Sequence, residues 1–295
     1  MKLTEVSSRI FTPQHLLVYG DPSTGKSTLV SKLAEDGRWN LKWLSLDNGH
    51  SVLLKLTAAA QERVELFNIP DTRGYPVGVD AVRRLLDRKP CHFCDLHGKN
   101  DCSVCAKAQA GFSDLDVNAL KATDILVLDN LSQLSDSTMA LIVKNKEIDY
   151  KLQLDDWGSL RFHLVKYLTD IQQLPCNLVC IAHAVEEELV DKNKKVMPAV
   201  GSSTFAPKVA GYFDHVVFCR VFNNKHRYGS SSTYLPSIIT KSRTDIEIEK
   251  MPVESLVPFF DGTIGSTAPS TSEVVRTLQT AAAKAATLQL GGATK

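Results

Sequence analysis

HLLVYGDPSTGKSTLVSKL, residues 15–33, is the stretch that decides the fold. An apolar run of strand length, 15–19, stops at a glycine. Gly20, Asp21, Pro22, Ser23, Thr24, Gly25, Lys26, Ser27 and Thr28 then fit the pattern G-x-x-x-x-G-K-[ST] in full. The glycines let backbone N–H groups turn inward without a Cβ clash. A helix expected from about Lys26 points its positive end at the same spot. Such a loop is built to hold phosphate. Lys26 is placed to reach the β- and γ-phosphates of ATP, and the Ser27 hydroxyl to ligate a magnesium ion.

Outward from this loop, short apolar runs alternate with helix-length segments. Strands are expected at 42–46, 64–69, 124–128, 177–182, 215–221 and 234–241, and helices at 26–35, 79–88 and 160–174. Strands separated by helices predict βαβ units, an α/β fold and a mostly parallel sheet. The runs DILVL and NLVCIA are apolar throughout, as strands covered on both faces are. With 295 residues the chain can bury a full core. Lys+Arg number 34 against 33 Asp+Glu, so any basic footprint for nucleic acid has to be local. No run reaches membrane-span length and the first residues lack a signal-peptide core, so no membrane partner and a cytoplasmic location are expected.

Asp129 closes the run DILVL where a Walker B carboxylate stands, and is the second magnesium ligand expected. Asn130 follows it where many ATPases carry a glutamate. Asp47, at the end of the second strand, and Glu186 are the candidates for the missing base. His183 ends the run VCIA, where a polar side chain could sense the γ-phosphate.

Seven cysteines are present. Cys176, Cys180 and Cys219 sit in or beside apolar runs and read as buried small hydrophobes. Cys91-x2-Cys94 and Cys102-x2-Cys105 form two pairs able to hold a tetrahedral Zn2+ through thiolates about 2.3 Å from the metal. His92 or His97 could replace one cysteine, and an iron–sulfur cluster is the competing occupant. A segment this short has no core of its own, so a metal is the expected source of its order.

The order of phosphate loop, LVLDN (126–130), a helix near LTDIQQLP (168–175), VCIAHA (179–184), GYFDHVVF (211–218) and ITKSR (239–243) resembles the phage-encoded RecA-core ATPases. These include short single-strand-annealing recombinases and are often labelled AAA-domain nucleotide-binding proteins. The resemblance covers residues 14–260 apart from the cysteine insert. It implies a RecA-like P-loop NTPase, an ATP hydrolase, with a homo-oligomeric ring or filament. It implies that Lys241 and Arg243 reach a neighbour's γ-phosphate and that His183 transmits to a DNA-contacting loop. It also implies single-stranded DNA as partner, held by Lys144, Lys146 and Lys151 and by Lys192, Lys194, Lys195 and Lys208; a single-stranded DNA-binding protein is a further candidate partner. The glutamate of bacterial RecA after the second strand is missing, and Asp47-Asn48-Gly49-His50 stands there. The function expected is ATP-dependent recombination or annealing. A replicative helicase, a helicase loader and a nucleotide-switched scaffold with little turnover are the alternatives.

Two regions result: an ATPase core over 1–263, with a zinc insertion at 89–107, and a Ser/Thr/Ala/Gly-rich tail over 264–295. Val274, Leu278, Ala281, Ala285 and Leu288 share one helical face of the tail, capped by Thr271 or Ser272.

Overall fold

The computed structural model describes residues 12–261, apart from 73–74, 148, 189–193, 230–237, 244–245 and 252–253. Ten strands are β1 (His15–Gly20), β2 (Asn40–Ser45), β3 (Val64–Asn68), β4 (Cys91–Cys94), β5 (Phe112–Leu115), β6 (Asp124–Asp129), β7 (Asn177–Glu188), β8 (Lys194–Pro198), β9 (His215–Phe222) and β10 (Lys225–Gly229). The helices that matter for the site are α1 (Lys26–Ser31), α2 (Val77–Leu86), α3 (Ser103–Lys107), α4 (Leu131–Ile142) and α5 (Leu154–Ile171).

The main sheet runs β10-β9-β1-β7-β6-β2-β3, with β8 added to β7. The strands from β9 to β3 are parallel, and β8 and β10 are antiparallel to their neighbours. This is the expected α/β architecture, RecA-like, with a mostly parallel central sheet. β1 and β6 are buried at every residue. Successive side chains of a strand point to opposite faces, so each strand feeds two cores. Leu17 and Tyr19 of β1 join Leu126, Leu128, Leu178 and Cys180 under α2, α4 and α5. Leu16 and Val18 join Val127, Val179 and Ile181 under α1 and the segment ending at Phe260. Trp39 meets Phe260 edge-on at 5.7 Å, which fastens that segment to the sheet.

Register sets up the site. Gly20 lies beside His183 on one side and Cys219 on the other, and Asp129 lies between Ser45 and Ile181. The carboxyl ends of β1, β2 and β6 therefore share one edge, where open α/β sheets bind ligands. β7 continues past that edge. Its residues from Ala184 to Glu188 pair only with β8, giving a hairpin not expected from the sequence.

Much of the strand expected at 234–241 lies outside the described residues. Its end is an isolated antiparallel bridge of Lys241 to Val216, and Ile238 bridges Val196 in parallel. The edge strand beside β9 is instead β10, a short polar segment with no apolar alternation to announce it. The tail and its expected helix lie outside the described residues.

Candidate active site and metal centre

The loop after β1 turns as the glycine pattern requires. A Cβ on Gly20 would stand 2.1 Å from the Cys219 carbonyl oxygen, so only glycine fits beside β9. Gly25 takes the left-handed conformation, φ 84°, and caps α1. Lys26 is buried and its Nζ donates to the carbonyls of Gly20 at 2.8 Å and Asp21 at 2.7 Å. The Thr24 hydroxyl donates to the same Asp21 carbonyl at 2.8 Å.

A cleft of about 240 Å3 opens above this loop, walled by Lys26, Ser27, Asp47, Asp129, Asn130 and His183 among others. Asp129 is 2% exposed, and its Oδ2 is buried with no hydrogen-bond partner. Burial, then the Asp47 carboxylate, pushes its pKa up to about 7, against the pull of Ser27 and Lys26. A buried carboxylate oxygen with no hydrogen-bond partner among the described residues, beside a serine hydroxyl, fits a hard cation, which takes oxygen ligands. Ser27 and Asp129 are thus the residues that would hold magnesium, and a bound cation would offset the repulsion between Asp129 and Asp47.

Asn130 is a functional position that the sequence does not announce. Its Oδ1 accepts from the Gln133 N–H at 2.7 Å and caps α4, while its Nδ2 donates to Asp47 Oδ2 at 2.5 Å. The residue that stands in place of a glutamate thus anchors the helix and aims Asp47. The same Nδ2 is 3.5 Å from His183 Nε2. The His183 backbone N–H donates to Ser132 Oγ at 2.9 Å, and burial, then the Lys26 charge, lowers the pKa of its ring. The ring sits at the root of the β7–β8 hairpin. Asp47 is therefore in the cleft. Glu186 is on the hairpin, where Lys194 holds it at 2.6 Å.

Lys241 and Arg243 are not brought to this cleft. Lys241 pairs with Val216 at the amino end of β9, whereas Gly20 pairs with Cys219 near its other end. Lys241 Nζ donates to the Phe213 carbonyl at 2.6 Å, and Arg243 bonds Asp214 at 2.7 Å. Neither side chain serves the phosphate loop of its own chain. Lys192 lies outside the described residues.

The expected four-cysteine site is corrected. Cys94, His97, Cys102 and Cys105 offer ligand atoms within 4.8 Å of one another, and Cys91 is not among them. The cause is strand parity. β4 is extended, so residues three apart point to opposite faces. Cys91 and Phe93 face the main core, whereas Cys94 faces the small cluster with Cys102 and Cys105. Burial pushes the Cys91 thiol up to about 12, as befits a small core residue. His97, in the turn after β4, takes the fourth place. Its Nδ1 lies 3.1 Å from Cys105 Sγ and 3.9 Å from Cys94 Sγ and Cys102 Sγ. A tetrahedral zinc site with bonds near 2.0–2.3 Å has ligand–ligand edges of about 3.5–3.8 Å, so the three-cysteine, one-histidine set fits a metal of the zinc kind. The Cys105 backbone N–H helps to draw the Cys102 thiol down, toward the thiolate a metal needs.

The knob presses on the sheet. A Cβ on Gly98, φ 64°, would stand 2.4 Å from the Asn68 carbonyl at the end of β3. Phe93 meets Phe67 edge-on at 5.5 Å, and Lys99 lies 5.3 Å over the Tyr75 ring. The insertion therefore braces β3, the strand next to β2, whose end leads into Asp47.

Fold and cleft together define a P-loop NTPase with a RecA-like core. Residues 12–244 match the AAA domain family, and the chain belongs to that family. No curated protein matches. Among solved structures, one similar chain is described as a prototypical ATPase from the type III secretion system of pathogenic bacteria. The two share 12% identity with a TM-score of 0.39, over 70% of this chain and 52% of that one, so the match spans about half of the ATPase. Another is the RadB recombinase, at 12% identity and a TM-score of 0.37, over 74% of this chain and 81% of that one. Among the described residues no helix is long and apolar enough to cross a membrane.

Asp129→Asn is expected to stabilise the protein while disabling it. The folded-state pKa lies above the usual carboxylate value, so the penalty on the fold grows as pH rises from about 4 through 7 and is complete above 7. Removing the charge should recover roughly 2 kcal/mol at pH 8, a rise in Tm of about 4–8 °C. Thermal unfolding without nucleotide or divalent cation reads this directly. An unchanged or lower Tm at pH 8 contradicts the burial account.

Proposed function

We propose that this chain is an ATP-dependent DNA recombination or annealing ATPase, which binds ATP–Mg2+ and single-stranded DNA as an oligomer. One observation carries the reading. The phosphate-holding side chains converge at one edge of the sheet, while Lys241 and Arg243 stand near the other end of β9. A basic pair so placed does not serve its own phosphate loop, and in this reading it completes a neighbour's site. There it would stabilise charge on the transferring phosphoryl group, the role an arginine finger plays.

The β7–β8 hairpin supports the link to DNA. It rises from His183, which borders the phosphate cleft, and carries Lys194 and Lys195 beyond the sheet edge. Lys144 and Lys146 follow α4 from the same cleft. A change at the γ-phosphate has a short route to the hairpin and a longer one, along the whole of α4, to Lys144 and Lys146, and lysines there would track a strand's phosphates. Zn2+ in the Cys94, His97, Cys102 and Cys105 cluster would be structural, since four protein ligands close the site.

A second reading is a nucleotide-switched scaffold with little turnover. It is favoured by Asn130, whose side chain is committed to capping and tethering, and by Gly49 in the segment where a glutamate is expected.

The test is the ATPase rate with and without single-stranded DNA at low salt. The DNA is expected to bind and to raise turnover at least about tenfold, with binding that weakens steeply as salt rises. Arg243→Ala should leave ATP binding nearly intact and remove the stimulated turnover. An Arg243→Ala protein that loses ATP affinity but keeps per-site turnover contradicts the role across the interface. Tight ATP binding with negligible turnover, DNA present, selects the scaffold.

A further inference from the structure

Residues 241–243 meet the sheet at the amino end of β9, and more than one contact fixes them there. Lys241 exchanges both backbone hydrogen bonds with Val216, at 2.8 and 3.1 Å. Ser242 Oγ lies 3.2 Å from His215 Nδ1, and Nε2 of the same ring lies 2.9 Å from Gln14 Oε1. His215 is fully buried. The root of the basic pair is therefore rigid.

The tip of Arg243 needs its own restraint. Its side chain is 57% exposed, and a long side chain in water keeps its rotamer freedom. Asp214 supplies the restraint. This carboxylate is only 16% exposed and uses its two oxygens separately. Oδ2 accepts from the His15 backbone N–H at 3.0 Å, and Oδ1 meets Arg243 Nη1 at 2.7 Å. The Asp214 N–H donates in turn to the His15 carbonyl at 2.8 Å. Asp214 is thus fastened to the first residue of β1, the strand that ends in the phosphate loop. It holds the guanidinium by one corner. A guanidinium carries five N–H donors in a rigid fork, so the remaining corners can still meet phosphate oxygens. An ion pair with so exposed a partner adds little to the stability of a fold. Its effect falls instead on where the guanidinium sits.

We infer that Asp214 is a positioning residue for Arg243: it orients the guanidinium, before subunits assemble, for the nucleotide held by a neighbour. The inference rests on the proposed role of Arg243 across the interface and names the group that aims it. A charge already in place when the phosphoryl group transfers costs no reorganisation at that moment.

Asp214→Asn keeps an oxygen for the His15 N–H and removes the charge that holds Arg243. It is expected to lower DNA-stimulated turnover about tenfold, with ATP affinity and Tm close to wild type. Mixing subunits separates aiming from damage to the subunit's own site. Lys26→Ala subunits lack a working phosphate loop but carry an intact Asp214–Arg243 pair. Added to Arg243→Ala protein on single-stranded DNA, they are expected to restore part of the turnover, because intact loops then meet intact basic pairs. Added to Asp214→Asn protein, they should restore it to a similar extent. Wild-type turnover in Asp214→Asn overturns the inference. So does a loss that Lys26→Ala subunits repair in Arg243→Ala but not in Asp214→Asn. If they repair neither, the role of Arg243 across the interface fails, and this inference with it. Asp214→Ser, a smaller neutral residue that also offers an oxygen, takes the place of Asp214→Asn if that variant does not fold.

Discussion

Lys26→Ala is expected to lower the affinity for ATP–Mg2+ by roughly 100-fold or more and to abolish turnover, because it deletes a buried point charge aimed at the phosphates. Lys26 is 6% exposed, and burial lowers its pKa while Asp129, Asp21 and Asp47 oppose that shift. Two loop carbonyls accept from its Nζ. Its removal also leaves Asp47 and Asp129 facing each other without a cation, so the variant should melt lower than wild type. Lys26→Met keeps the aliphatic stem and separates the two effects: packing is retained and the charge is lost. Titration calorimetry with a non-hydrolysable analogue reads the affinity, and thermal unfolding reads the fold. A folded Lys26→Met protein that binds nucleotide as wild type does contradicts the site.

The second large effect concerns the metal. Cys105→Ala and His97→Ala are expected to abolish zinc binding, whereas Cys91→Ala should keep full stoichiometry. Metal content by atomic emission distinguishes these outcomes. The knob has only Cys94, Cys102 and Cys105 as its buried centre, with Ala110 and Phe112 packed against them. Structural zinc contributes on the order of 10 kcal/mol of apparent binding free energy in small metal-ordered domains, so metal-free knob should open and become protease-sensitive between residues 95 and 111. Cys91→Ala should cost only a core cavity, on the order of 1–2 kcal/mol. Equal loss of metal in Cys91→Ala and Cys105→Ala would restore the four-cysteine site.

That exchange of Cys91 for His97 shows where the sequence was legible and where it was not. The phosphate loop was readable because each of its residue types answers a local steric or charge demand. The buried strands β1, β6 and β7 were readable because both faces are apolar. Asp129 followed from its place at a strand end. The spacing leaves open a histidine in place of one cysteine, and His97 takes that place; that Cys91 is the one replaced is not legible, because the first pair lies on an extended strand, where parity sends its two thiols apart. The turn that does chelate, Cys94 to His97, ends in Gly98, and that glycine was the available signal. α4 was missed because its buried face includes Ser135, Ser137 and Thr138, which look polar in sequence. Thr138 satisfies its hydroxyl within the helix, donating to the Leu134 carbonyl at 2.7 Å. The β7–β8 hairpin is hidden because its outer residues, Glu186, Glu187, Glu188, Lys194 and Lys195, are charged, although Val196 and Met197 at its base are buried. Asn130 could not be assigned from sequence at all, since its role depends on Asp47, which is distant along the chain and adjacent only across β2 and β6.

The central claim is that the nucleotide site is completed between subunits on single-stranded DNA. Imaging the full-length protein with single-stranded DNA and a non-hydrolysable ATP analogue tests it most directly. The account predicts a ring or filament in which the Lys241 and Arg243 of one subunit approach the phosphates held by Lys26 of the next. Nucleotide-loaded monomers that ignore the DNA, or an assembly with that basic pair turned away from every phosphate loop, would contradict it.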